Sequence, residues 1–301
     1  PEAWNVDDSG RKIKVEVNYR IKNNVVSFEF PKGYNENLPL VIDPILSFST
    51  YTGSTKDNWG FTAAPDPQGN AFGGGIVFGV GYPVTTGAFD NSFGGGTVDA
   101  AISKFSADGT QLLYSTYLGG NYSETPHSIV CNPIGEIYIL GITSSHDFPT
   151  TTNAYQTSNK TGSSFSANNI SFNTGSDIFV VKMSADGTHL LASTLIGGTN
   201  NDGINLNTLN YNYGDQFRGD ITLDASGNVF VASTTYSANF PVVNSSSTYG
   251  GDQDAVVFKL SSDLSALLWS TYLGGTGYDA AYSIQVANDG SVYIAGGTTS
   301  S

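Results

Sequence analysis

The chain has 301 residues, a formal net charge of −14, and 13% charged residues, about half the usual share of roughly 25%. Its acidity repels phosphate backbones and anionic membrane surfaces, and it contains no run of 18 apolar residues, which argues against nucleic acid and direct membrane insertion as partners. The single Cys131 excludes an internal disulfide framework and any multi-cysteine zinc site.

The 36 Gly, 17 Tyr and 17 Phe suit short strands joined by tight turns. Residues 1–44 hold six of the twelve basic residues and seven acids, so that segment is nearly neutral, whereas the rest carries six bases and nineteen acids. This shift marks a domain boundary and sets 1–44 apart as the C-terminal part of a preceding β-domain. In it Ile13, Val15, Val17, Tyr19 and Ile21 alternate with polar residues, as on a half-buried strand. Lys22-Asn23-Asn24 reads as a turn, and Val26, Phe28 and Phe30 continue the alternation, which predicts a β-hairpin. Leu40-Val41-Ile42-Asp43-Pro44 leads out of it.

From residue 45 one phrase organises the chain. Ser115-Thr116-Tyr117-Leu118-Gly119-Gly120 returns unchanged at Ser270–Gly275, altered at Ser193–Gly198, and more altered at Ser49–Ser54. The serine spacings of 66, 78 and 77 residues are those of an internal repeat. Each repeat divides into four strand-like runs. An Asp- or Asn-led turn with Gly recurs at 66–70, 132–135, 224–228 and 288–291. Asp99, Asp177 and Asp254 open equivalent strands, and Ser-x-Asp turns recur at 106–110, 184–188 and 261–265.

Four short antiparallel strands per repeat predict an all-β chain, a β-propeller of four-stranded blades over 45–301. The blades lie at about 55–118, 121–196 and 202–273, with a partial one at 276–301. Residues 45–51 read as an orphan closing strand. Two Ser/Asn/Gly-rich insertions, 156–176 and 199–216, fall where loops carry binding. The chain opens without Met and stops within a repeat, so it reads as part of a longer protein.

The Ser-Thr-Tyr-Leu-Gly-Gly phrase, Asp-x-x-Gly-Asn before a Val/Ile-rich strand, Asp147-Phe148-Pro149 followed by Ala154-Tyr155-Gln156, and Asp-Ala/Ile-Phe-Val-x-Lys together resemble the SBBP β-propeller repeat. The segment ending in Leu40–Pro44 resembles the domain that precedes such repeats in large surface proteins of Bacteroidota-type bacteria. The resemblance implies a secreted or cell-surface protein, often exported by type IX secretion, and no established catalytic set. The first repeat departs from the pattern at Gly73-Gly74-Gly75 and Tyr82-Pro83, the third at Leu195-Ile196.

No motif joins His127, His146 and His189 to a metal or a nucleophile, and they read as surface or loop residues. Asp99, Asp177 and Asp254 read as groups that satisfy loop amides. The Ser-x-Asp-Gly-Thr turns resemble the sialidase Asp-box but lack its spacing, and the repeats hold one arginine, Arg218, which disfavours sialic-acid chemistry. The metal candidate is calcium in the third repeat, with Asp202, Asp215 and Asp220 as ligands beside Asn200 and Asn201. Trp59, Trp269 and loop tyrosines offer stacking surfaces for sugars, while Tyr117 and Tyr272 read as packing residues. The leading expectation is a non-enzymatic extracellular structural or interaction module, in adhesion, with a protein or glycan partner at the cell surface. The alternatives are a carbohydrate-binding or polysaccharide-processing propeller, and a cargo or partner of a type IX secretion machine.

Overall fold

The computed structural model describes all residues except 23, 24, 44–47, 161 and 213. The described chain forms two compact units, Pro1–Ser49 and Thr50–Ser301. It is all-β, with one three-residue 3-10 turn, and no helix is long and apolar enough to cross a membrane.

The first unit contains β1 (Glu2–Val6), β2 (Lys12–Val15), β3 (Asn18–Lys22), β4 (Val25–Glu29) and β5 (Leu40–Asp43). β1 lies between β2 and β5, antiparallel to both, and β3 pairs with β4 as the expected hairpin. The alternation from Ile13 to Ile21 does not run as one strand. It breaks at Glu16 and Val17 into β2 and β3, which pair with different partners. Val15 and Val17 are buried, but Ile13 and Tyr19 are exposed. Tyr19 packs instead on its cross-strand partner Phe28, ring centroids 5.5 Å apart. The predicted turn at Asn23-Asn24 lies outside the described residues, as do Ile45–Ser47 of the expected closing strand. The rest of that strand, Phe48–Tyr51, is irregular, and Tyr51 is 95% exposed. A closing strand is expected to complete the last sheet, whose two strands, Asp279–Val286 and Val292–Thr298, pair only with each other among the described residues.

The second unit is a run of antiparallel sheets. The first holds β6 (Asn58–Pro65), β7 (Ala71–Val77), β8 (Asp99–Phe105) and β9 (Leu112–Leu118). The second holds β10 (Glu124–Cys131) and β11 (Ile137–Thr143), then, after a small hairpin of β12 (Phe165–Ala167) and β13 (Ile170–Phe172), β14 (Asp177–Met183) and β15 (Leu190–Ile196). The third holds β16 (Asp220–Leu223), β17 (Val229–Thr235), β18 (Asp254–Leu260) and β19 (Leu267–Leu273). The last is a pair, β20 (Asp279–Val286) and β21 (Val292–Thr298). First strands are neighbours in series: β6 by β10, β10 by β16, β16 by β20.

Sheets stack face on face, which explains the continuous apolar runs of the middle strands. On β11, Ile137 and Ile139 join Phe72, Ile102 and Leu118 of the first sheet, while Tyr138, Leu140 and Ile142 join Val229, Val231 and Val256 of the third. A strand buried on both faces has no polar side to alternate. The last pair covers one side of the third sheet through Ala281 and Ile284, and its β21 residue Tyr293 is 65% exposed.

Polar groups gather at the strand ends. At one end the carboxyl of the first turn meets the lysine of the third strand: Asp66 with Lys104, Glu136 with Lys182 and Asp224 with Lys259, each at 2.9 Å. Each ammonium also lies over an aromatic ring of the second strand, Phe72, Tyr138 or Phe230. Burial works against the charge on Asp66, but hydrogen bonds from Asn70 and Lys104 outweigh it and hold its pKa at about 2. The repeat phrase anchors the loop before the third strand. Ser193 Oγ donates to Pro149 O at 2.6 Å and Ser270 Oγ to Pro241 O at 2.7 Å, while Gln156 N donates to Thr194 Oγ1 at 3.0 Å. Replacing Lys104 by Ala leaves the buried Asp66 carboxylate without its cation and should lower stability by about 1–3 kcal/mol in denaturant titrations.

Candidate functional site

The first strands share an irregularity. Their ladders shift between Gly60 and Thr62 in β6, Pro126 and Ser128 in β10, and Ala281 and Ser283 in β20. The residue left over at each bulge is Phe61, His127 or Tyr282, three places after the residue that opens the strand, Asn58, Glu124 or Asp279. In the third repeat the same count from Asp202 reaches Asn205. Asp202 keeps its strand place through a lone bridge to Thr235, but the chain then leaves the sheet and returns only at β16. The insertion therefore emerges from the bulge, where a strand already departs from its ladder.

These elements line a cleft of about 380 Å³ formed by Phe61, His127, Ser128, Phe217, Arg218, Asp220 and Tyr282, with Gly60, Gly214 and Gly219. The 3-10 turn Asp215–Phe217 positions its inserted wall. Asp215 Oδ2 accepts the N–H groups of Tyr211 at 3.0 Å and Asn212 at 2.7 Å, and its Oδ1 lies 3.0 Å from Arg218 Nε. Phe217 is buried, edge-on to Phe61 at 5.8 Å and 6.3 Å from the His127 ring. The half-exposed Arg218 guanidinium lies 5.5 Å over the Tyr282 ring. Tyr282 Oη donates to Leu209 O at 2.9 Å and accepts from Asn205 Nδ2 at 3.0 Å. Asp220 ties three sheets together: Oδ1 accepts from Ser128 Oγ at 2.9 Å, Oδ2 from Ser283 Oγ at 3.0 Å and Ile284 N at 3.1 Å. A smaller apolar hollow on the first sheet, about 120 Å³, is lined by Gly73–Gly75 and Trp59 and by no carboxylate, imidazole or amine.

His127 is buried, not on the surface as the sequence suggested. Burial pushes its pKa down to about 3, so the ring is neutral at ordinary pH. Its Nε2 lies 3.4 Å from Thr125 Oγ1, and its Nδ1 has no partner within the protein. A general base works best with a pKa near the operating pH, so this imidazole is suited to hydrogen bonding and poorly suited to proton abstraction. The cleft thus offers a neutral imidazole, an aromatic–guanidinium stack and a carboxylate already saturated by its neighbours.

The other predicted groups lie apart from one another. His146 and His189 are exposed loop residues. Asp202 is fully buried and bonded to Thr235 and Ser237, Asp215 serves its own turn, and Asp220 bridges strands. The three are not gathered into one calcium ligand set, and among the described residues no group of three His, Cys, Asp or Glu could hold a metal. Asp99, Asp177 and Asp254 are buried and accept loop N–H groups from Gly94, Lys160 and Gly250, as expected. Tyr117 and Tyr272 are buried packing residues.

A family model for a domain of unknown function (DUF7948) matches residues 1–45. No curated protein matches the chain. The bulge residues carried a signal that periodicity misses: Phe61, His127 and Tyr282 each precede a hydroxyl residue, Thr62, Ser128 or Ser283, at one fixed offset from the strand start. Asp220→Ala removes the shared acceptor of Ser128, Ser283 and Ile284. Calorimetry should show a loss of about 1–3 kcal/mol.

Proposed function

We propose that residues 50–301 are consecutive blades of a β-propeller of the SBBP type, serving as a non-catalytic structural and interaction module of a bacterial cell-surface protein. The serial packing of first strands and the face-on-face stacking of the sheets support the propeller reading. The cleft between the first strands, walled by the insertion of the third repeat, is then the natural contact surface.

One observation carries the non-catalytic reading. Asp220, the single carboxylate among the described residues lining the cleft, is bonded across three sheets, and the imidazole there is held neutral. Polysaccharide cleavage needs two carboxyls poised across one bond. Recognition needs only what is present: a half-exposed Arg218 guanidinium over the Tyr282 ring.

The test is binding of the full chain to immobilised mucin, collagen and neutral polysaccharides, with product analysis of each polysaccharide alongside. Arg218→Lys keeps a cation for Asp215 but loses the guanidinium over Tyr282, and should weaken binding about tenfold with an unchanged melting temperature. Release of shortened polysaccharide, abolished in Asp220→Asn, would instead make the module an enzyme.

A further inference from the structure

Each pair of successive sheets meets at a buried pair of acids. Asp99 of β8 meets Glu124 of β10, Asp177 of β14 meets Asp202, and Asp254 of β18 meets Asp279 of β20. The first glycine of the Gly-Gly dipeptide separates each pair. A Cβ placed on Gly197 would lie 2.6 Å from both Asp177 Oδ1 and Asp202 Oδ2, and one on Gly274 would lie 2.6 Å from Asp254 Oδ1 and 2.8 Å from Asp279 Oδ2. On Gly119 it would lie 2.6 Å from Glu124 Oε2 and 3.2 Å from Asp99 Oδ1. Asp99, Asp177 and Asp254 are fully buried, and in each the Oδ1 facing the second acid has no donor, while the Oδ2 accepts a loop N–H.

The second acid of each pair is crowded with donors. The N–H of the second glycine donates to it: Gly120 to Glu124 at 3.1 Å, Gly198 to Asp202 at 2.7 Å, Gly275 to Asp279 at 2.8 Å. A Thr-x-Ser element in the next sheet adds hydroxyls. Thr143 Oγ1 donates to Glu124 Oε1 at 2.6 Å, Thr235 Oγ1 to Asp202 Oδ1, and Ser300 Oγ to Asp279 Oδ2 at 2.7 Å. The threonine hydrogens are committed to the acids, because Thr143 and Thr235 Oγ1 already accept the N–H of Ser145 and Ser237. These donors suit an ionised carboxylate and leave it little room for a hydroxyl hydrogen of its own. A second negative charge beside it would be buried with no donor on the Oδ1 that faces the first.

We propose that each joint binds one proton, carried on Oδ1 of Asp99, Asp177 or Asp254 and donated to the ionised acid of the following sheet, so that the stacking of the sheets is linked to pH. Burial raises the pKa of Asp99 to about 7, of Glu124 to about 8 and of Asp177 to about 6, and it raises Asp202 and Asp254 as well. Charged neighbours are few. Asp90 faces Asp99, and Lys160 faces Asp177, its ammonium donating to Gly197 O at 3.0 Å. Tyr249 and Tyr272 lie near Asp254, and Tyr272 near Asp202.

A raised folded pKa means the folded chain holds protons that the unfolded chain has released. The stabilisation is complete below the ordinary carboxylate range and is lost as pH rises through about 6 to 8. His127 opposes this only between about pH 3 and its ordinary value near 6.5. Asp66 and Asp224, held at about 2, are silent above pH 5. The clean window is therefore roughly pH 6.5 to 8.

The experiment is thermal unfolding of the full chain across that window, in EDTA and in calcium, for the wild type, Asp99→Asn/Asp177→Asn/Asp254→Asn and Glu124→Gln. An asparagine keeps the carbonyl that takes the loop N–H and replaces the bound proton with a permanent N–H donor. The wild-type melting temperature should fall as pH rises, identically in EDTA and calcium, and the triple variant should be flat. Glu124→Gln should be less stable at every pH, because its amide N–H meets the Gly120 or Thr143 donors. Should the triple variant fail to fold, unfolding of the wild type at pH 7 in weak buffer decides the matter, with release of about one to two protons expected midway through the window. A flat wild-type profile, proton release near zero, or melting raised by calcium and lowered by EDTA would overturn the proposal.

Discussion

Two carboxyl groups close on one glycine wherever one sheet meets the next. Gly119, Gly197 and Gly274 cannot bear a side chain there, since a Cβ on any of them would lie 2.6 Å from a carboxyl oxygen. The glycine that follows supplies an N–H to the second acid. The closing Gly-Gly of the repeated phrase is thus one functional pair, the first residue for close approach and the second for its donor. The spacing between sheets, and with it the face-on-face burial of Ile137, Ile139, Val180 and Val231, depends on this joint closing.

The opposite ends of the strands are built on the reverse electrostatics. There Asp66 and Asp224 are ionised and matched to Lys104 and Lys259, with an aromatic face beneath each ammonium. Each sheet therefore has a salt-bridged end and an acid-paired end, with apolar residues on both faces between them. This arrangement leaves charges to the strand ends and loops, in a chain with 13% charged residues. It also bears on the net charge of −14: the six acids of the joints are counted as ionised in that figure, although they face one another out of contact with solvent.

The strands and turns of the repeats were legible because their signals are local. Asp66, Asn132 and Asp224 announce their turns through acceptors that reach their own backbone, and Ser106, Asp108 and Thr110 close the next turn in the same way. What stayed hidden is nonlocal. Asp99 and Glu124 are 25 residues apart and belong to different sheets, so the sequence shows each as a separate strand-opening acid. His127 looked like a loop residue because a bulge breaks the two-residue period that would have placed it. Asp202, Asp215 and Asp220 looked like one ligand set because the insertion is short, yet a joint, a 3-10 turn and a first strand claim them separately. The first unit misled for the same reason: Ile13 and Tyr19 continue one alternation in sequence but belong to two sheets.

The difference between repeated and unrepeated positions separates scaffold from site. Acid, Gly-Gly and Thr-x-Ser recur at all three joints, since each joint solves the same packing problem. The position three residues after the acid or amide that opens each repeat's first strand holds Phe61, His127, Asn205 and Tyr282 in turn, a bulge in all but the third. If that position served packing alone, the same constraint that keeps the joints uniform would act on it too. Instead it presents an apolar ring, a neutral imidazole and a phenol toward one cleft, with the buried Asn205 amide bonded to that phenol, and the insertion of the third repeat adds Phe217 and Arg218. A surface assembled from a variable place in a repetitive framework is where selectivity for a partner can reside without disturbing the fold.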